Sequence, residues 1–377
     1  MPLTLLCQNT LSPPATRKAA APSPSRPADS AWLQLARQSK SLSRLLAQAG
    51  PPVPLWSLPD PGRTLARDSG VEAWLRSSFG LPDEVGIGAC AALALHPSAT
   101  SLILRLVHFH AAMDHIVLSP TNRVAVAEAE SLALFDSACD WLREEPVRLR
   151  RLSADLWELV EIAPSETGFA ALRSASSTRA AGRNIDLWLP YGTGARRWRR
   201  LMNELQMLWH SHPVNEQRID RGDLPLNGLW LEGVTPGHAS PVFDRVATDD
   251  PVLGGLASLS GASLAGWEEG LERAIDSPAT HSLIDVPCTV SQATQGDEAP
   301  ARDADGAGID WRQAQACLER IERRAGRSAI RSVILTGDFG AQSFSVNARA
   351  HWRFWRTRPD PRWLVDPAQS AANAGSE

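Results

Sequence analysis

The sequence is poor in several residue types and patterns, and each absence narrows the range of functions. Its 377 residues include only two lysines, Lys18 and Lys40, and one tyrosine, Tyr191. No apolar run approaches the roughly 18 residues that a membrane-spanning helix needs. The apolar patch from Leu3 to Cys7 is too short for the hydrophobic part of a signal peptide. We therefore expect a cytoplasmic protein with no membrane partner.

Cysteine is also sparse and irregularly placed. The five cysteines are Cys7, Cys90, Cys139, Cys288 and Cys317, an odd number in which no two are closely spaced. A disulfide framework would need pairs, and a zinc knuckle would need two cysteines a few residues apart. The pattern indicates free thiols in a reducing compartment.

The positive and negative charges are nearly balanced, with a small acidic excess. The chain has 38 basic and 42 acidic residues and a formal net charge of -4. Without a basic field, nucleic acid and anionic membranes are not expected partners. The local exception is the basic stretch from Arg196 to Arg200, which indicates either a solvated helix face or a nucleic-acid contact.

The hydrophobic pattern predicts an α/β protein with mixed sheets and flanking helices. Apolar runs at Ile87–Leu95 and Ser101–His108 predict strands. The stretch from Ala125 to Arg143 has the apolar spacing of an amphipathic helix. Residues Val147 to Val160 predict a hairpin that turns at residues 153–155. This alternation of strands and helices is typical of α/β folds.

Shifts in composition predict the organisation along the chain. We expect six consecutive parts: a disordered segment (1–30), an N-terminal α/β domain (31–165), a central helix-rich part (166–288), a linker or mobile loop (289–309), a C-terminal α/β part that packs on the central part (310–358) and a tail (359–377).

The central part contains a dense group of polar and aromatic side chains. Ala195 to Ser211 predicts a long helix with an apolar stripe. Arg199, Asn203, Gln206 and His210 recur at spacings of four, three and four, so they share a second face. The helix runs into His212-Pro213-Val214-Asn215, where proline fixes the backbone.

Two interpretations of this constellation remain open. The side chains could form a preorganised pocket for a small anionic ligand, since arginine binds anions well. Alternatively, they cap the helix end and satisfy buried backbone groups. The candidate ligand-binding residues are Arg183, Asn184, Asn203, Gln206, His212, Asn215, Arg218 and Asn227.

Two other groups are weaker candidates. His108 and His110 share one face of a predicted strand, near Asp114, and could ligate a metal or be ordinary half-buried histidines. No second cluster with metal-ligand spacing accompanies them, so we expect no metal site and no cofactor. Gly192-Thr193-Gly194 precedes a helix and could present N–H groups to a phosphate, but it lacks the full phosphate-loop pattern.

Three motifs carry a resemblance to a known family: Asn203-Glu204-x-Gln206-Met207-Leu208, His212-Pro213-Val214-Asn215 and Leu226-Asn227-Gly228-Leu229-Trp230. With Asp249-Asp250-Pro251 and Trp352-Arg353-Phe354-Trp355, they resemble the proteobacterial RpfE-type regulatory proteins. Members of that family are often named cofactor-independent phosphoglycerate mutases. The resemblance covers roughly residues 84–275 and 310–358. It implies a degenerate phosphomutase-like scaffold of the alkaline-phosphatase type.

The chain differs from the phosphomutases and from the RpfE-type family at several motif positions. Phosphomutases of that superfamily use two metals, an N-terminal Asp-Gly strand and an Asp-His pair. No Asp-Gly strand opens this chain, and Phe339 follows Asp338. Arg105-Leu106 replaces an Asp-Pro of the family, and Glu232-Gly233-Val234 stands where Trp-Gly-Gly is usual.

These features lead to two expectations for function. The first is a regulatory or interaction protein without evident catalytic machinery, which binds an unknown small anionic ligand or a protein partner. The alternative is a phosphoglycerate mutase-like phosphotransferase that uses His108, His110, His212 and Asp186.

Overall fold

A computed structural model describes most of the chain as two compact units. The described residues are 3–8, 35, 37–49, 51–57, 67–96, 102–162, 168–276, 281–286, 289–290, 309–326, 329–337, 340–346, 353, 356 and 359. The first unit combines segments Met1–Trp74, Pro241–Asp249 and Gly261–Glu377. The second combines Leu75–Ser240 with Asp250–Ser260.

The strands and helices are numbered in chain order. The strands are β1 (Leu3–Cys7), β2 (Val53–Ser57), β3 (Leu102–Val107), β4 (Phe109–Ala111), β5 (Ile116–Leu118), β6 (Val147–Arg151), β7 (Leu156–Glu161), β8 (Gly228–Val234), β9 (Arg245–Ala247), β10 (Ser263–Ala265), β11 (Ser282–Val286), β12 (Thr289–Val290), β13 (Ile309–Asp310), β14 (Ile330–Thr336) and β15 (Gly340–Ser345). The α-helices are α1 (Lys40–Ala49), α2 (Gly70–Ser78), α3 (Glu128–Trp141), α4 (Ser177–Ala180), α5 (Ala195–His210), α6 (Pro213–Asp220), α7 (Pro251–Leu259), α8 (Trp267–Asp276) and α9 (Arg312–Arg324).

The first unit is built on a seven-stranded mixed sheet. The strand order is β10-β9-β11-β1-β14-β15-β2, and the first five of these strands are parallel. Strands β15 and β2 continue the sheet in antiparallel pairing. All five residues of β1 and all five of β11 are buried, as expected for parallel strands covered on both faces.

Three helices supply apolar side chains to the core of the first unit. Leu45 of α1, Leu271 of α8 and Leu318 of α9 are each at most 2% exposed and belong to one cluster with the strand residues. The C-terminal segment that carries α9 and β14 is therefore part of the same core as the N-terminal strand β1.

The second unit is built on a four-stranded antiparallel sheet. Its order is β6-β7-β3-β8, and β8 pairs with β3 from Leu102↔Val234 to Val107↔Gly228. Leu134 of α3 and Trp209 of α5 lie fully buried with the sheet residues in one apolar cluster. Helix α7 packs against a 3₁₀ segment, Gly88–Ala94.

The structure confirms the predicted fold class of mixed sheets with flanking helices. The two helices predicted above are present: α5 ends within one residue of its prediction, and α3 starts three residues later and ends two residues earlier than predicted. Ile87–Leu95 was wrongly predicted as a strand. It forms the 3₁₀ segment because its small Gly and Ala residues offer no β-branched surface to pack in a sheet.

The N-terminal prediction also needs correction. Leu3–Cys7 was placed in a disordered segment, but these residues form β1 in the middle of the first sheet. Residues 9–30, the acidic stretch 291–308 and residues 360–377 lie outside the described residues. The contiguous domain boundaries stay a prediction, whereas the compact units are made of interleaved segments.

Among the described residues, no helix is both long enough and apolar enough to cross a membrane.

Candidate functional site

The predicted His212-Pro213-Val214-Asn215 motif lies at the junction between α5 and α6 in the second unit. Helix α5 ends at His210, and α6 begins three residues later with Pro213 at its first position. Proline suits this position because its fixed φ matches the helix and its missing N–H would have no helical partner. His212 is the N-cap, and its Nδ1 accepts a hydrogen bond of 3.2 Å from Val214 N–H. Partial burial lowers the pKa of His212, which favours this neutral, accepting form.

The asparagine of this motif is bonded to backbone on all sides. Asn215 is 1% exposed. Its Nδ2 donates to Trp209 O at 2.8 Å and to Leu226 O at 3.0 Å, and its Oδ1 accepts from Leu226 N–H at 2.7 Å. One carboxamide thereby ties the end of α5 to the residue that leads into β8.

Asn227, which lies just before β8, makes a similar pair of hydrogen bonds to the backbone of β4. Asn227 Oδ1 accepts from Phe109 N–H at 2.7 Å, and its Nδ2 donates to Phe109 O at 2.9 Å. The two bonds pair the side chain with β4 in the manner of a neighbouring strand. The next residue is Gly228, where an added Cβ would lie 2.2 Å from the Phe109 ring.

Arg218 is the third buried member of the group. It is 3% exposed, and it donates from Nε to Leu224 O at 2.7 Å and from a terminal nitrogen to Ala125 O at 2.9 Å. It also forms an ion pair with Glu130. Burial would raise the pKa of Glu130, but hydrogen bonds from Arg221 and Ala127 and the charge of Arg218 lower it overall.

The remaining predicted residues lie elsewhere on the second unit. On α5, Asn203 is exposed and Gln206 is half-buried. Asn184 caps a short 3₁₀ turn, because its Oδ1 accepts from Asp186 N–H at 3.0 Å. The contacts of Asn215, Asn227 and Arg218 are those expected if the constellation satisfies buried backbone. The ligand-binding role of the eight residues stays a prediction.

His108 is buried, and its ring is held by a hydrogen bond to the segment between α6 and β8. Its Nδ1 lies 2.8 Å from Pro225 O, so this nitrogen carries the proton. Burial lowers the pKa of His108, with smaller contributions from the charges of His110 and Arg218. The His108 and His110 ring centroids are 6.3 Å apart. The part of the chain that the structure describes holds no group of three or more His, Cys, Asp or Glu residues placed to bind a metal ion.

A pair of arginines that includes Arg183 lies over one indole ring, that of Trp188. The guanidinium carbon of Arg179 lies 5.2 Å from the ring centroid of Trp188, and that of Arg183 lies 5.5 Å from it. Arg183 also donates to Arg179 O. Trp188 and Arg179 are each 3% exposed, whereas Arg183 is half-buried. We call Arg179 and Arg183 the guanidinium pair. Sequence reasoning missed Arg179, although its spacing of four from Arg183 was a usable signal.

The first unit has its own polar cluster at the carboxyl edge of the parallel strands. Asp285 on β11 accepts from Thr248 Oγ1 at 2.7 Å and from Gln8 Nε2 at 3.1 Å. Thr248 follows β9 and Gln8 follows β1. Ligands of open α/β sheets commonly bind at this edge. None of these three residues was a candidate from the sequence.

The three residues of this cluster do not make up the two-metal centre that the resemblance implies for phosphomutases. An amide, Gln8, follows the central strand β1, and both oxygens of Asp285 accept hydrogen bonds from neutral donors. Divalent metals of such centres are held by several carboxylates and imidazoles. Asp338 and Phe339, which follow β14, lie outside the described residues.

Comparison with known proteins finds local sequence similarity. No protein-family model matches the chain. The 2,3-bisphosphoglycerate-independent phosphoglycerate mutase of Methanothrix thermoacetophila is 32% identical over 107 residues, which is 28% of this chain and 26% of that protein. A probable enzyme of the same name from Geobacter sulfurreducens is 40% identical over 53 residues, 14% of this chain and 13% of the relative. The chain thus aligns with about a quarter or less of these relatives' length.

Two solved structures resemble the chain weakly over most of its length. The cofactor-independent phosphoglycerate mutase from Thermoplasma acidophilum is 14% identical, covers 92% of this chain and 90% of its own, and gives a TM-score of 0.42. The PH0037 protein from Pyrococcus horikoshii is 12% identical, covers 99% and 96%, and gives 0.49. We draw no functional conclusion from these two structures.

The comparisons support the mutase-like part of the sequence resemblance. They give no support to the RpfE-type name or to a regulatory role. Over a limited part of its length, the chain is similar to 2,3-bisphosphoglycerate-independent phosphoglycerate mutases.

Proposed function

We propose that this chain binds a small anionic ligand at the guanidinium pair. The observation that carries the proposal is the convergence of Arg179 and Arg183 on one indole ring, Trp188, at 5.2 and 5.5 Å. The two guanidinium carbons are therefore at most about 11 Å apart, close to one Debye length at 0.1 M salt. Two cations at this separation raise the local potential and favour an anion.

The chemistry of the pair suits an oxyanion. A guanidinium presents N–H donors in a planar fork that matches carboxylate and phosphate oxygens. The indole holds both forks in place through cation–π contacts, each worth about 0.5–2 kcal/mol. Because Arg183 is half-buried, it is the member of the pair that solvent reaches.

The first ligands to test are phosphorylated carboxylic acids. The relatives with local similarity are named for a reaction of phosphoglycerate. In this proposal the chain binds such an anion without turning it over, and its output is binding to a regulatory partner. Asn184, which adjoins Arg183, would lie at the edge of the same site.

The test is calorimetric titration of the full chain with 3-phosphoglycerate, 2-phosphoglycerate and inorganic phosphate. The Arg183→Gln variant should weaken the tightest of these at least about tenfold, the equivalent of about 1.4 kcal/mol. The matched control is Arg196→Gln, which removes an exposed arginine of α5 and should leave the affinity unchanged. Equal affinities in Arg183→Gln and the native chain would overturn the proposal.

A second candidate function is phosphoglycerate mutase-like phosphoryl transfer, favoured by the 107-residue similarity. The residues suggested for it are His108, His110, His212 and Asp186. His108 Nδ1 bonds to Pro225 O and His212 Nδ1 accepts from Val214 N–H, so this chemistry would have to use Nε2 of each ring. We expect no conversion of 3- to 2-phosphoglycerate, with or without added manganese. Turnover that His108→Asn abolishes would establish the second function instead.

A further inference from the structure

Glu232 on β8 is a buried carboxylate in an unusual setting. The residue is 1% exposed. Its Oε1 accepts from Arg105 Nε at 2.7 Å and from the Ser177 hydroxyl, and its Oε2 accepts from Ser177 N–H at 3.0 Å. The two oxygens of one carboxylate are thus held by a guanidinium, a hydroxyl and a backbone amide.

This set of donors is the kind that proteins use to bind free oxyanions. Charge-assisted hydrogen bonds from arginine, combined with hydroxyl and backbone N–H donors, recur in carboxylate and phosphate sites. Here the anion belongs to the chain itself. Arg105 is also fixed from its far side, where it forms an ion pair with Asp155.

The backbone at Gly88 lies close against the Glu232 carboxylate. A Cβ added at Gly88 would lie 2.0 Å from Glu232 Oε2 and 2.9 Å from Ser176 Cβ. Glycine at this position therefore leaves the room that the carboxylate occupies. The donors and the space around them define one small chamber within the second unit, which we call the Glu232 cradle: Arg105, Ser177 and Gly88.

We propose that the Glu232 cradle is an oxyanion-binding site that the chain fills with its own side chain. Arg105 and Ser177 would bind a planar or tetrahedral oxyanion, such as formate, acetate or phosphate, if the tethered carboxylate were removed. Glu232 acts as a built-in ligand that excludes free anions from the site. The cradle shares no residue with the guanidinium pair, although Ser177 and Arg179 lie on the same short helix, α4. The two proposals are tested by different measurements, the melting of Glu232→Ala and the anion affinity of Arg183→Gln.

The experiment removes the carboxylate and supplies an anion from solution. Glu232→Ala should lower the melting temperature of the full chain by about 10 °C, because it removes one of the two carboxylate partners of the partly buried Arg105 and leaves the Ser177 donors unpaired. Added formate should raise it again in a saturable manner and recover about half of the loss, since a ligand of the native state stabilises it by mass action. Chloride at equal ionic strength is the reference.

Three controls separate this effect from general salt stabilisation. Formate should not raise the melting temperature of the native chain beyond the chloride reference, because the cradle is full. It should not rescue Glu232→Gln, in which the amide still occupies the space. Glu158→Ala removes another buried carboxylate, one paired with the exposed Arg150 on β6, and should show no saturable rescue.

The proposal is overturned if formate rescues Glu158→Ala as well as Glu232→Ala, or rescues neither. Should Glu232→Ala fail to fold in chloride, soluble recovery is compared after refolding in formate and in chloride. Recovery in formate alone supports the cradle. Equal failure in both counts against it, because a free carboxylate would then be unable to replace the tethered one.

Discussion

At the scale of single residues, two asparagines of the polar constellation form hydrogen bonds to the main chain. A carboxamide carries an acceptor and two donors, so it can pair with a peptide group as another peptide would. Asn215 and Asn227 both do this, with Leu226 and Phe109 respectively. These two of the eight candidate ligand-binding side chains therefore have their hydrogen-bonding groups directed at main chain.

The Asn215→Ala substitution should be strongly destabilising. It would leave Leu226 N–H and two carbonyl oxygens without these bonds in a buried site, and each unsatisfied group costs about 1–3 kcal/mol. We expect a loss of about 3–4 kcal/mol in the free energy of unfolding, measured by urea denaturation. Asn203→Ala, at an exposed position of α5, should stay within about 0.5 kcal/mol of the native chain. A native-like midpoint for Asn215→Ala would contradict the structural role.

Residue identity alone indicated that this stretch is rigid, but it could not assign partners. Pro213 after His212 predicted a fixed turn, and the structure shows the cap that results. The partners of Asn227 lie 118 positions earlier in the chain, at Phe109. Arg105 and Glu232 each stood out as departures from the resembling family. Only the structure shows that the two departures pair with each other at 2.7 Å.

At the scale of elements, the amphipathic helix α5 and the buried strand β3 were predictable, but the central strand β1 was not. Helix α5 has a stripe of apolar residues and an opposite polar face, so its period identifies it. Strand β1 is buried on both faces and reads as five consecutive apolar or small polar residues, which periodicity cannot assign. Helix α6 is absent from the prediction because a proline after a helical stretch indicates its end, whereas proline also begins helices.

The packing of α7 on the 3₁₀ segment gives a prediction at this scale. A Cβ at Gly255 would lie 1.9 Å from Cys90 O, a backbone atom that cannot rotate away. Gly255→Ala should therefore destabilise the chain by about 2 kcal/mol or more, although alanine in an isolated helix is favoured by about 1 kcal/mol. Gly237→Ala is the control, because no atom lies within 4 Å of its added Cβ. Thermal unfolding of both variants would test this, and a stabilised Gly255→Ala would show that the close contact is wrong.

At the scale of the whole molecule, local sequence patterns could not predict which distant segments of the chain share a sheet. Strand β1 pairs with β11 and β14, which lie near residues 282–286 and 330–335. Nothing within a short window of sequence specifies such a pairing, so composition predicted the α/β class but not which segments share a sheet. Likewise, a net charge of -4 gave no sign that Arg179 and Arg183 meet on one indole.

The most direct test of the account is the affinity for 3-phosphoglycerate of protein treated with a chelator, compared with the same protein given manganese. The guanidinium pair binds through hydrogen bonds and charge, so we predict dissociation constants that agree within about twofold, which is about 0.4 kcal/mol. Binding that appears only when manganese is present would contradict the account and place the ligand on a metal centre instead.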